Sequence, residues 1–185
     1  MGTLRFIISL FSVFLIGSME QIQSQNFITN SGNVEFISTA PLLTFKGTSN
    51  HLNGLIDLET GKIDFYVDLN TLNTGNRRRD RDMRQVYLET EKYPFAEFTG
   101  KITQDIDPNF TGEIPVTVQG HFKMRGIEHP LSVEGVIRKT DGGIHVQASW
   151  EILLRDFNID RPRVVFYELS DVQTVNIDVT LKLEQ

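Results

Sequence analysis

The chain has 185 residues, 39% hydrophobic and 23% charged, with a formal net charge of −6. That balance fits one globular domain whose core needs no staple, and excludes a disordered or fibrous chain. Without cysteine there is no disulfide framework, no thiol nucleophile and no lipidated N-terminal cysteine. An acidic chain is also a poor polyanion binder unless its basic residues gather on one face.

The chain opens with MGTLRFIISLFSVFLIG, in which Arg5 precedes a mainly apolar run over residues 6–16. The run is too short to cross a bilayer and reads as a cleaved secretory signal peptide. Cleavage is expected after Ser24, with Ser18 as the rival, which divides the chain into a leader of residues 1–24 and a mature domain of residues 25–185. Cleavage removes one basic and one acidic residue, so the net charge of −6 is unchanged. A periplasmic or secreted protein with no stable membrane span is expected.

From residue 33 onward, apolar and polar residues alternate with the period of half-buried strands. In KIDFYVDL, Ile63, Phe65, Val67 and Leu69 share one face, and Asp64, Tyr66 and Asp68 the other. The same pattern sets Val116, Val118, Gly120, Phe122 and Met124 inward, then Leu131, Val133, Gly135 and Ile137. It recurs as Ile144, Val146, Ala148, Trp150 and Ile152, and finally as Val175, Ile177, Val179, Leu181 and Leu183. Strands are predicted near 33–39, 43–49, 54–59, 62–69, 95–105, 113–125, 130–140, 144–153 and 173–184. ETGK and TDGG supply hairpin glycines, and DPN at 107–109 breaks a longer connection. Such a series of sequential strands predicts an all-β antiparallel barrel or sandwich.

One stretch departs from the pattern. In NRRRDRDMRQVYLETEKYPF (76–95), residues 79–90 place Met83, Val86 and Tyr87 at helical spacing, with Asp80 and Arg84 as an i, i+4 pair on another face. A short amphipathic helix is predicted there, and Pro94 returns the chain to extended structure. Asp80 and Asp82 largely neutralise the arginines, and no aromatics alternate with them, so no nucleic-acid partner is expected.

Catalytic and metal signals are weak. GTSNH at 47–51 lacks the spacing of a nucleophile elbow, and Ser49 beside His51 reads as a turn. His51, His121, His129 and His145 are scattered, with no metal-binding spacing. The acidic pairs Asp57 with Glu59 and Asp64 with Asp68 read as a solvated outer face, and no phosphate loop precedes a helix. Neither a metal nor a cofactor is expected, and a non-enzymatic role follows.

Three blocks in order resemble the YceI-like family: TLNTGNRRRDRDMRQVYLETEKYPFAEFTGKI (71–102), VQGHFKMRGIEHPLSVEGVI (118–137) and WEILLRDFNI (150–159). The resemblance covers about residues 33–184. It implies an exported, lipocalin-like antiparallel β-barrel of about eight strands with one short helix near the barrel opening. It also implies an elongated apolar interior that in characterised relatives holds long isoprenoids or related lipids. The family often has a histidine after Arg-Asp where this chain has Met83, so no imidazole is available there for a head group.

Gly120, Gly135 and Ala148 fall in phase with large inward residues and are expected to leave room for a slender ligand. The expected apolar lining is Phe65, Val67, Val118, Phe122, Val133, Val146, Trp150 and Ile177, with Met83, Val86 and Tyr87 as the underside of a lid. Arg81 with Asp82 and Arg155 with Asp156 are expected either to tie the lid to the 153–160 segment by crossed ion pairs or to meet a polar head group. The expected partner is a long-chain isoprenoid or other lipid. A homodimer is compatible with the sequence, and a structural or protein-interaction barrel with a fully packed interior and no ligand is the alternative.

Overall fold

The computed structural model describes residues 26–40, 43–107, 109–161, 163–164 and 167–184; the leader assigned to residues 1–24 lies outside them. Eight strands close into an antiparallel barrel. They are β1 (Asn26–Ala40), β2 (Leu43–Asp57), β3 (Lys62–Asp68), β4 (Phe95–Ile102), β5 (Glu113–Met124), β6 (Ile127–Thr140), β7 (Gly143–Leu153) and β10 (Val172–Leu183). Strands β1 to β7 pair in chain order, and β10 closes the ring between β7 and β1. Between β7 and β10, β8 (Arg163–Val164) and β9 (Tyr167–Glu168) form a separate small sheet. Closure settles the choice between barrel and sandwich, because every barrel strand has a neighbour on both sides.

The two strands expected at 43–49 and 54–59 are one. Polar SNHLN interrupts the alternation, but pairing with β1 continues through register shifts around Thr29, Gly32 and Val34. Such bulges let a long strand bend around a barrel without breaking its ladder.

The barrel is blind at the end where β1 and β7 begin. Phe27 pairs with Ile56 and Ile144 with Leu181. Ile56, Ile137, Ile144 and Leu181 are completely buried there. Each such side chain contributes about 1.5–3 kcal/mol of burial. At the opposite end the 26 residues between β3 and β4 fold back over the opening. Leu69 N–H donates to the Pro94 carbonyl at 2.8 Å, so this excursion leaves and re-enters the barrel at one point.

Candidate functional site

From the blind end, a cavity of about 650 Å³ extends up the barrel to the surface at the opposite end. Phe65, Val67, Val118, Phe122, Val133, Val146, Trp150 and Ile177 all lie in its wall, and Met83 and Tyr87 reach it from the lid. Phe36, Phe45 and Phe98 also line it. Their rings form two groups of contacts: Phe36 meets Phe45 edge-on at 6.2 Å, and separately Trp150 stacks on Phe98 at 6.4 Å and meets Phe122 at 6.3 Å. Phe36 was not singled out from the sequence, although the inward alternation of Val34, Phe36 and Ser38 carried the signal. Phe45 lies near the start of β2, where the alternation is weak, and its ring is covered by Arg79 of the lid.

The small residues divide into three roles. Gly135 and Ala148 face each other in register and line the cavity, as their phase suggested. Gly120 does not line it, which corrects the expectation. Gly120 pairs with Gly100, and a Cβ on it would lie 2.2 Å from the Thr99 carbonyl oxygen, so its smallness lets β4 and β5 approach closely. Gly47 and Gly54 were not anticipated. A Cβ there would fall 2.2 Å and 2.1 Å from the rings of Phe36 and Phe65. These glycines let both rings lie against the wall and keep the centre open.

The lid begins earlier than expected and changes geometry midway. Asn76 caps α1 (Arg77–Asp82) by accepting from the Arg78 and Arg79 N–H groups at 3.0 and 3.1 Å. A π-helical turn over Met83–Tyr87 follows, in which Leu88 N–H donates to the Met83 carbonyl. The wider turn shifts the inward face, so Met83, Tyr87 and Leu88 line the cavity while Val86 is 61% exposed. A reading at α-helical spacing misplaces Val86 for that reason. Asp80 and Arg84 also do not pair. The Asp80 carboxylate accepts from the Thr74 N–H and hydroxyl at 2.9 and 2.6 Å, and Arg84 donates to the Leu72 carbonyl at 2.8 Å.

The crossed ion pairs are likewise replaced by other partners. Arg81 and Arg78 lie 3.7 and 3.8 Å from the Asp82 carboxylate on the lid itself, and Arg155 pairs with Asp171 at 2.7 Å. Asp156 offers its backbone carbonyl to His129 at 2.7 Å. The lid is tied to the 153–160 segment by Arg125 of the β5–β6 turn, which pairs with Glu89 and donates to the Asn158 carbonyl. Arg125, Glu89 and Asn158 are also the only non-glycine residues with positive φ among those described, at 52°, 50° and 53°. The tie therefore joins three strained backbone positions. At the mouth itself stand Asn76, Arg78, Arg79 and Asp82. Arg79 is occupied structurally: its guanidinium lies 4.0 Å over the Phe45 ring, and its Nε donates to the Thr74 hydroxyl at 2.9 Å.

Glu89 gives the tie a pH dependence. The hydrogen bond from Arg125, reinforced by the charges of Arg125 and Lys92, holds its carboxyl below the ordinary range. A carboxyl lowered in the folded state stabilises fully above its unfolded value of about 4.3, and that contribution disappears as pH falls through the folded value. Arg125→Ala should lower the melting temperature at pH 7 by roughly 5 °C. The gap in melting temperature between the natural protein and Glu89→Gln should close on titration from pH 7 to pH 3; a gap independent of pH would refute the tie.

Among the described residues no three His, Asp or Glu side chains converge as a metal site. His129 packs edge-on against Phe157 at 5.3 Å, while His121 lies 3.9 Å from Glu128 at the surface. No helix among the described residues is long and apolar enough to cross a membrane.

Residues 26–184 match the sequence profile of the YceI-like domain. The chain belongs to the YceI-like family. Solved structures share the barrel at low sequence identity. A polyisoprenoid binding domain from Saccharophagus degradans, described as implicated in plant cell wall breakdown, is 18% identical with a TM-score of 0.74, over 88% of this chain and 100% of that one. BcnA of Burkholderia cenocepacia is 12% identical with a TM-score of 0.68, over 80% and 95%. The YCEI protein of Campylobacter jejuni is 16% identical with a TM-score of 0.57, over 99% and 100%. Curated proteins give no match. In this YceI-like barrel, Arg125 and Gly126 of the 118–137 block form the turn that fastens the lid.

Proposed function

We propose that the protein binds an isoprenoid or another long-chain lipid in its barrel, without catalysis, in the periplasm or outside the cell. The blind apolar cavity of about 650 Å³ carries this reading. It lies within the size range of ligand-holding pockets, roughly 300–1,000 Å³. It also disfavours the fully packed barrel, since a core at ordinary density has few voids larger than a water molecule. Likeness to a polyisoprenoid binding domain and membership of the YceI-like family support the same ligand class.

Affinity comes from burial. Each methylene-sized group removed from water contributes about 0.8 kcal/mol, so a chain of about twenty such groups gives on the order of 16 kcal/mol. That exceeds the estimated cost of roughly 4–15 kcal/mol lost on association, so no charged contact is required. Phe65, Val67, Val118, Phe122, Val133, Val146, Trp150 and Ile177 would contact the chain, with Met83 and Tyr87 closing over it. Arg81, Asp82, Arg155 and Asp156 serve structure in this reading, and a polar head group would instead meet Arg78 beside Asp82 at the mouth.

Trp150 is the sole tryptophan and lines the cavity. Titration with a C20 isoprenoid alcohol should shift its emission saturably, at about one ligand per barrel. Emission unchanged through saturating lipid would contradict the proposal.

A further inference from the structure

Residues 77–84 carry five arginines and two aspartates, a net +3 within a chain total of −6, which leaves −9 for everything else. Folding sorts these charges between the two sides of the lid. Arg79 and Arg84 are engaged by the structure, on Phe45 with Thr74 and on the Leu72 carbonyl. Asp80 is buried and its carboxylate accepts from Thr74, so it is turned away from the outer face. Outward stand Arg77, Arg78, Arg81, Gln85 and Val86, all exposed, while Asp80, Met83 and Leu88 are buried.

Stability gives no reason for that outer face. Arg77 and Arg81 are an i, i+4 pair of like charge, which weakens a helix. Arg78 and Arg81 share one carboxylate, Asp82, at 3.8 and 3.7 Å, longer than ordinary hydrogen bonds, and their side chains are 85% and 61% exposed. Other carboxylates around the lid are already matched: Glu89 pairs with Arg125, Glu97 with Lys123, and Glu91 is followed by Lys92. The face therefore stays positive.

Apolar side chains project at the same end of the barrel. Val86 is exposed on the lid, and at the rim the exposed rings of Tyr66 and Phe95 meet edge-on at 5.7 Å. Tyr66 lines the mouth, and Phe95 begins β4 where the lid re-enters the barrel. A positive surface with apolar tips, set at the opening of an apolar cavity, complements an anionic bilayer: arginine meets phosphate while aliphatic and aromatic tips enter the headgroup layer. An acidic protein would satisfy the arginines but gives the apolar tips no role.

We propose that Arg77, Arg78, Arg81 and Val86 on the lid, with Tyr66 and Phe95 at the rim, dock the barrel mouth-down on a bilayer containing anionic phospholipid. The negative charge elsewhere orients the molecule, because this end alone is drawn to such a surface. The docking rests on the lipid-binding reading and supplies the source of the ligand.

The test is co-sedimentation at low salt with vesicles of phosphatidylcholine alone and of equimolar phosphatidylcholine and phosphatidylglycerol, using protein and variants purified from the native host. The natural protein should pellet with the anionic vesicles only, and about 0.5 M salt should release it. Arg77→Gln combined with Arg81→Gln should weaken this binding roughly 10–30-fold, and Val86→Ser roughly 3–10-fold. These side chains do not line the cavity, so affinity for a C20 isoprenoid alcohol delivered from cyclodextrin should be equal in all three proteins. Its rate of uptake from anionic vesicles should fall in both variants. Absence of binding to anionic vesicles, or binding unchanged in the arginine variant, would overturn the docking face while uptake from cyclodextrin leaves lipid binding standing. No uptake of the alcohol from either source would overturn the lipid-binding reading itself.

Discussion

Gly120→Val is expected to give no folded barrel at 37 °C. The new Cβ would meet the Thr99 carbonyl oxygen at 2.2 Å and the Gly100 Cα at 2.7 Å, and both obstacles are backbone. Neither can rotate away as a side chain would, so β4 and β5 must separate where they pair from Glu97 with Lys123 to Ile102 with Val118. Overpacking of a well-fitted core costs about 1–3 kcal/mol, and a forced backbone shift at a central ladder exceeds that range. The whole stability of a domain is about 5–15 kcal/mol, so this substitution consumes a large share of it. Far-UV circular dichroism and thermal melting would read the loss. A Gly120→Val protein melting within 3 °C of the natural one would disprove the close approach of these strands.

Ala148→Phe should do the reverse, keeping the fold and losing the ligand. Ala148 lines the cavity beside Gly135, and the open volume lies inward of it. A ring placed there displaces two or three methylene-sized groups of bound chain, each worth about 0.8 kcal/mol, and lowers lipid affinity by about 10–50-fold. The melting temperature of the lipid-free protein should change little, because the added ring occupies open volume. Equal lipid affinity in Ala148→Phe and the natural protein would mean that the chain does not run past this position.

These two residues show what was legible in the sequence. Alternation assigned Gly120 and Ala148 to the same inward face, and that phase is correct for the strands. It could not separate a glycine that admits a neighbouring backbone from an alanine that borders a void, because the difference lies in strand-to-strand distance. The same limit explains Gly47 and Gly54, whose partners Phe36 and Phe65 lie across a strand pair. The barrel itself was legible from the period of two and the hairpin glycines, and its closure from the family resemblance.

The lid was legible in kind but not in detail. Met83 and Tyr87 follow from helical spacing, but a π-helical turn is set by local packing and turns Val86 outward. The ion pairs were read from adjacent residues in the chain, whereas the tie that forms is nonlocal. Arg125 lies 36 residues from Glu89 and 33 from Asn158. Its one local signal was an arginine before a hairpin glycine, where positive φ is unusual for a side-chain-bearing residue.

The central claim is that the barrel holds one long apolar chain. Its most direct test is organic extraction of the protein purified from its native host, followed by mass spectrometry of the lipid fraction. The expected result is one long-chain lipid species, or a narrow series, near one molecule per barrel. A lipid-free extract from protein that also takes up no added isoprenoid alcohol would contradict the claim.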